Sequence, residues 1–317
     1  TRLVGMVPPQ VGTLERAVQV LGAIGPLAKA AVPELIVALS QPHPPRNYSG
    51  ERMSIDHNIH RSVIVALGDI GPDAASAIPC LVKLLEEEKK AFLTEPICQA
   101  LASMSSAAAP AVPALVRQLS GSHAQRAIET LAALGPTANP AVAELEQLLE
   151  TGDHGSRVSV YKAISSIETD KAHRIAVACR YLRDPELAAL ALNTLAVLPD
   201  IGTSALAELL EELGKRNAFD PQMMDVIRAL GNTGPAAAEA LPKLIKDNTN
   251  SSYSEPVKQA AFEAIKKIDP LGEKTMALVK PDLEDAFRVR GCVELLEFLA
   301  TPACRELAQS TRQRWKF

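Results

Sequence analysis

Aromatic side chains make up only 3% of this 317-residue chain, with one Trp, four Tyr and six Phe. Any core must therefore be packed through Ala, Leu, Val and Ile. The five cysteines, Cys80, Cys98, Cys179, Cys292 and Cys304, are odd in number and widely spaced, and no CxxC occurs. That favours free thiols packing as small hydrophobes over a disulfide framework or a metal site. Neither sign of charge dominates. Lys and Arg number 12 against 15 Asp and Glu up to residue 158, and 21 against 22 after it. A surface built to neutralise phosphates needs a clustered cationic stripe, and none is present, so nucleic acid is not the expected partner. The sequence has no run of about eighteen apolar residues, the length a membrane span requires, so membrane insertion is not expected either. It also lacks a GxSxG elbow, a Walker loop and an HExxH pair, and no catalytic residue or cofactor site is assigned.

What the chain has instead is a repeat. Leu21 to Leu39, LGAIGPLAKAAVPELIVAL, returns as LGDIGPDAASAIPCLVKLL from Leu67, LAALGPTANPAVAELEQLL from Leu131 and LGNTGPAAAEALPKLIKDN from Leu230. The same nineteen-position frame fits without a gap from Leu101, Ile164, Leu195, Ile265 and, most weakly, Leu296. The nine starts lie 46, 34, 30, 33, 31, 35, 35 and 31 residues apart. A period in that range signals stacked supersecondary units. Within the first copy, Ala17, Val18, Leu21 and Ile24 fall on one side of a helix. Gly25 can end that helix in the left-handed conformation, and Pro26 does not continue it. Val32, Leu35, Ile36 and Leu39 then repeat at i, i+3, i+4 and i+7 as a second amphipathic helix, with Pro33 tolerated in its first turn. The first apolar position of the second helix is an unbroken column: Val32, Ile78, Val112, Val142, Ile175, Leu206, Leu241, Met276 and Leu307. One such pair cannot bury both stripes, so neighbours must stack.

The GP corner followed by AVPxLxxxL resembles HEAT repeats, particularly the bacterial type also seen in phycobilin lyase subunits, over nearly the whole chain. The resemblance implies an all-α fold, a right-handed α-α superhelix running as one solenoid through residues 1–317. Copies five and six depart from the pattern, with Glu168 and Thr169 or Pro199 and Asp200 at the corner. The family includes scaffolds, lyase subunits and a few enzymes. Deoxyhypusine hydroxylase, a HEAT enzyme, binds two irons through His-Glu dipeptides. Here the six histidines precede Pro44, Asn58, Arg61, Ala124, Gly155 and Arg174, so that chemistry is excluded.

Three further stretches carry expectations. Residues 1–12 place Leu3 and Met6 in the columns of Ile36 and Leu39, as if a second helix had been cut, so the start reads as an excerpt or a processed product. Residues 40–56, rich in Pro, form a loop insertion before a helix around His57 to Ile70. His43, His57 and His60 beside Asp56 could ligate a metal, but solvated or helix-capping imidazoles account for them, and no metal is assigned. Asp220 and Pro221 read as the N-cap and first residue of a helix carrying Met223 and Met224, only one of which can point inward.

The functional expectation is a non-catalytic scaffold that binds a protein or peptide on the concave face, with an accessory lyase subunit and a nucleic-acid clamp as alternatives. By the resemblance, the helix before each GP corner lines the concave side. The residue two before each anchoring Leu or Ile lies off the buried stripe: Gln19, Val65, Gln99, Glu129, Lys162, Asn193, Arg228, Glu263 and Glu294. Glu15, Arg61, Glu95, Gln125 and Lys267 lie one turn away. Mixed charge with scattered amides suits a particular partner, with Lys162 and Arg228 as anchors.

Overall fold

Each frame becomes a helix, a tight corner and a second helix. The computed structural model describes residues 11–40, 52–87, 92–217, 220–249 and 254–316, with side chains left out at 11–13, 52–58 and 154. Among the described residues every regular element is helical and none is a strand, so the fold is all-α. The chain divides into two compact units, Thr1–Thr169 and Asp170–Phe317. The division falls inside copy five, where Glu168 stands in place of the corner glycine with an extended backbone.

In the first unit, α1 (Val11–Ile24), α3 (Arg52–Ile70), α5 (Thr94–Ser103), α7 (Ala124–Leu134) and α9 (His154–Ile167) are the first helices of successive copies. Each packs on the next in chain order. The second helices, α2 (Val32–Ser40), α4 (Ile78–Glu86), α6 (Val112–Gln118) and α8 (Val142–Thr151), form the other row, with α2 against α4 and α4 against α6. The second unit starts with α10 (Lys171–Tyr181), the second helix of copy five. Its first helices are α11 (Ala188–Val197), α13 (Met223–Thr233), α15 (Glu255–Ile268) and α17 (Val289–Leu299), again packed in order. Its remaining second helices are α12 (Leu206–Lys215), α14 (Leu241–Thr249), α16 (Glu273–Val279) and α18 (Pro302–Trp315).

The corner is a 3-10 segment of seven residues in five copies: Gly25–Ala31, Gly71–Ala77, Ser105–Ala111, Gly135–Ala141 and Gly234–Ala240. Its first residue takes a positive φ, from +52° at Ser105 to +74° at Gly71. That single left-handed residue stops the first helix, and three-residue turns then carry the chain to the second. Ser105 adopts this conformation without being glycine, as does Ala300, at +57°, at the same frame position of copy nine.

Successive first helices approach closely through small side chains. A Cβ added to Gly68 would lie 2.9 Å from the Cα of Ala100, and one added to Gly231 would lie 2.9 Å from the Cα of Ala264. In each case the glycine follows the anchoring Leu of one copy, and the alanine precedes the anchor of the next. At that preceding position Ala66, Ala100, Thr130, Ala163, Thr194, Ala229, Ala264 and Leu295 are buried, and Val20, in the first copy, is exposed.

The structure corrects several expectations. The helix assigned to His57–Ile70 begins at Arg52, so the insertion is shorter than residues 40–56. Residues 41–51, with His43, and residues 1–10 lie outside the described residues, as does the side chain of His57. His60 is buried at 8% exposure rather than solvated, because it follows Ile59 into the interior. Ile24 is 46% exposed, although its equivalents Ile70, Ile167 and Ile268 are buried, because among the described residues no earlier copy covers α1. Leu206, Met276 and Leu307 are only half-buried. Their copies lack the seven-residue corner; the frame still holds on α12 and α16, where Leu209, Leu213 and Val279 are buried, whereas α18 buries Cys304, Ala308 and Thr311. Asp220 lies before the helix it was expected to cap, its Oδ1 accepting from the backbone N–H of Gln222, and α13 starts at Met223. Met223 is buried and Met224 half-buried. Two helical stretches, Leu14–Ser40 and Ile59–Glu86, are long and apolar enough to cross a membrane by length and composition, but each turns at a left-handed glycine, Gly25 or Gly71.

Gly231→Ala is expected to destabilise the second unit by about 1–3 kcal/mol, since overpacking two helix backbones outweighs the gain of up to about 1 kcal/mol in helix propensity. Gly214→Ala in α12, where a Cβ meets nothing within 4 Å, should instead stabilise. Urea unfolding of the two variants should shift the midpoint in opposite directions. Ser105→Gly relieves the left-handed strain and should raise stability by about 0.5–1 kcal/mol, read as an increase in Tm.

Candidate functional site

Two residues along an α-helix turn roughly 200° about its axis. A residue two before a buried anchor therefore points almost opposite to it, and the column set off in the sequence follows this geometry. Gln19, Val65, Gln99, Glu129 and Lys162 are exposed in the first unit, and Asn193, Arg228, Glu263 and Glu294 in the second. Arg61, Glu95 and Lys267 are exposed as well, and Glu15 is half-buried.

The structure gathers these residues unevenly. In the first unit Glu15 and Gln19 on α1 meet Arg61, Ser62, Val65 and Asp69 on α3 around a cavity of about 360 Å³. Gly22 lets it form: the Asp69 carboxylate lies where a Cβ on Gly22 would be, 2.7 Å from that point. Farther along, Glu95 and Glu129 are engaged within the molecule. Arg126 on α7 donates to Glu95 Oε1 at 2.8 Å on one side and to Glu129 Oε2 at 2.9 Å on the other. Gln125 donates to Glu129 Oε1 and to Ser159 Oγ, both at 3.0 Å, extending the chain of bonds from α5 through α7 to α9. Exposed pairs of this kind contribute at most about 1 kcal/mol each. Gln99 and Lys162 stand apart from that network.

In the second unit Arg228, Glu263 and Lys267 share a cavity of about 310 Å³ with Ala196, Gly231, Asn232, Pro256, Gln259, Ala260 and Ala264. Asn232 is its fixed point. Its Nδ2 donates to the carbonyls of Leu195 at 3.3 Å and Ala196 at 2.9 Å, at the end of α11. This orients Oδ1 to accept from Lys267 Nζ at 2.9 Å. Arg228 has no ion pair or side-chain hydrogen bond among the described residues. The carboxyl one turn before it, Asp225, is pushed above the usual range by burial, an effect that Arg228 only partly offsets. Glu294 lies outside the cavity, paired with Lys258 across α15 and α17.

Asp69, Asn232 and Gln259 were not among the residues singled out from the sequence. The signal lies in the quoted repeats: Asp69 and Asn232 occupy the same frame position, two after the anchor, in LGDIGP and LGNTGP, and Lys267 occupies it in copy eight. The glycine one after the anchor of the preceding copy opens the space for this side chain, Gly22 for Asp69 and Gly231 for Lys267.

Burial raises the thiols of Cys98 and Cys179 and pushes Cys292 up to about 12, and all five cysteines are free. Among the described residues no group of three or more His, Cys, Asp or Glu is placed to hold a metal ion.

No known family matches the sequence, and no curated protein matches it. The fold is similar to a crystal structure of an engineered protein from the Northeast Structural Genomics Consortium. The two share 19% identity over 98% of this chain and 96% of that one, with a TM-score of 0.53. At that identity the likeness shows the fold alone.

Asn232→Ala removes three hydrogen bonds and leaves two carbonyls unpaired beneath the cavity. A loss of about 1–3 kcal/mol is expected in chemical unfolding. Lys267→Met, at an exposed position, should change stability by less than about 0.5 kcal/mol.

Proposed function

We propose that this chain is a HEAT-like right-handed α-α superhelix and a non-catalytic scaffold, holding a protein or peptide on the concave face formed by its first helices. The observation that carries this reading is the coincidence of two features on the first helices of each unit. The exposed column of polar and charged residues runs along the first helices of both units, and in each unit it borders a cavity between adjacent first helices. Cavities of this size suit side chains of a partner, being at the small end of the range for ligand pockets, about 300–1,000 Å³. The mixture of Gln, Glu, Lys and Arg favours specific contacts over a uniform electrostatic field. Within each unit, ordered packing of each first helix on the next supports the repeat reading.

Exchanging Lys162→Glu and Arg228→Glu together reverses two exposed cations of the column without breaking an ion pair of the described residues. Lys274→Glu with Arg305→Glu, exposed on the second helices α16 and α18, serves as the control. Affinity capture from the native source, quantified by mass spectrometry, should lose its specific partners with the first pair and keep them with the second. Both variants should retain the helical circular dichroism of the parent. Undiminished capture by the first pair overturns the concave-face assignment, and specific capture of a nucleic acid or a tetrapyrrole overturns the scaffold reading.

A further inference from the structure

The cavity between α13 and α15 has an uneven charge: Arg228 and Lys267 against the single carboxylate of Glu263, with Gln259 and Asn232 as neutral neighbours. Among the other first helices, Arg126 is paired with Glu95 of an adjacent helix and with Glu129 of its own, and Lys258 with Glu294 of an adjacent helix, whereas Arg228 and Lys267 have no ion pair among the described residues. Here the match is missing for a structural reason. The helix on the other side of α13 is α11, whose ten residues, AALALNTLAV, include no charged side chain. Lys267 is directed by the amide oxygen of Asn232, which fixes the ammonium without neutralising it. Asn232 is in turn held by two main-chain carbonyls, so the arrangement is pre-set and loses little freedom when an anion arrives.

We propose that this cavity receives the carboxylate of an aspartate or glutamate side chain from a peptide or protein partner. Arg228 supplies the planar fork that matches a carboxylate, Lys267 a second point charge and Gln259 a side-chain amide donor. The class of anion follows from the charge count. Two cations and one carboxylate line the cavity, and Asp225 stands one turn before Arg228, so a monoanion is accommodated with less negative charge beside Glu263 than a phosphate dianion would bring. This inference rests on the scaffold reading and narrows it to acidic partners at one place.

The test uses the full chain labelled with ¹⁵N and, as probe, a blocked decapeptide of alternating alanine and glutamate, titrated at low salt. Peptides with glutamine or with phosphoserine in place of glutamate serve as comparisons. The glutamate peptide should shift the Arg228 Nε–Hε and Gln259 side-chain amide signals saturably, and the glutamine peptide should not. Arg228→Gln and Lys267→Gln should each weaken binding at least tenfold, and Glu263→Gln should tighten it severalfold. The proposal is overturned if the glutamate peptide leaves these signals unmoved at millimolar concentration, if the glutamine peptide binds equally, or if only the phosphoserine peptide binds. Should one of these occur while Lys162→Glu with Arg228→Glu still abolishes partner capture, the scaffold stands and the acidic occupant alone falls.

Discussion

The contact on which the rest depends is the near-touching of backbones between first helices of successive copies. At Gly68 against Ala100 and at Gly231 against Ala264, no room remains for a single methyl group. Such closeness fixes the spacing and tilt of neighbouring helices more tightly than a layer of leucines, whose side chains can adjust through several rotamers. It also explains the shortage of aromatics. A ring placed between these helices would force them apart, and the second row, attached through corners of fixed length, would have to follow. Larger side chains are accommodated where the rows face each other, at Leu35, Leu81, Leu115 and Leu244, all essentially inaccessible.

The same glycines shape the surface. A helix that shows glycine to its neighbour leaves a notch, and the polar residue two after the anchor of the next copy projects into it. In the first unit the notch at Gly22 admits Asp69; in the second, the notch at Gly231 admits the Lys267 side chain, whose ammonium is held by Asn232. Packing and recognition are thus set by adjacent positions of one frame. The charge carried by each notch then depends on which copies adjoin it. Two acids and one arginine line the first cavity, and two cations and one acid line the second. One architecture thereby offers chemically different places on the first helices of each unit.

Paired helices and their corners were legible because the frame recurs without internal gaps, and left-handed Gly25, Gly71, Gly135 and Gly234 sit where sequence reasoning places a helix stop. Ser105 and Ala300 were not legible as left-handed residues. Nothing in a serine or an alanine favours that conformation, which the flanking helices impose. The exposed column was legible by helical geometry alone, but the division of labour within it was not. Glu95, Glu129 and Glu294 look like Glu263 in sequence, yet Glu95 and Glu294 are engaged by Arg126 and Lys258 from a neighbouring copy 31 and 36 residues away, and Glu129 by Arg126 of its own helix. That pairing depends on the lateral register of adjacent helices, which periodicity does not report.

The five corners that share the seven-residue 3-10 form are alike in length and in their left-handed first residue. The spacing between copies varies only outside them, between the end of one second helix and the start of the next first helix. Corners of one gauge make the halves of different copies interchangeable parts. A crossover in the gene within one corner and its counterpart in another copy would join a first helix to a foreign second helix without shifting the frame. A chain of this kind can gain, lose or shuffle recognition notches by recombination while the geometry of each junction stays the same.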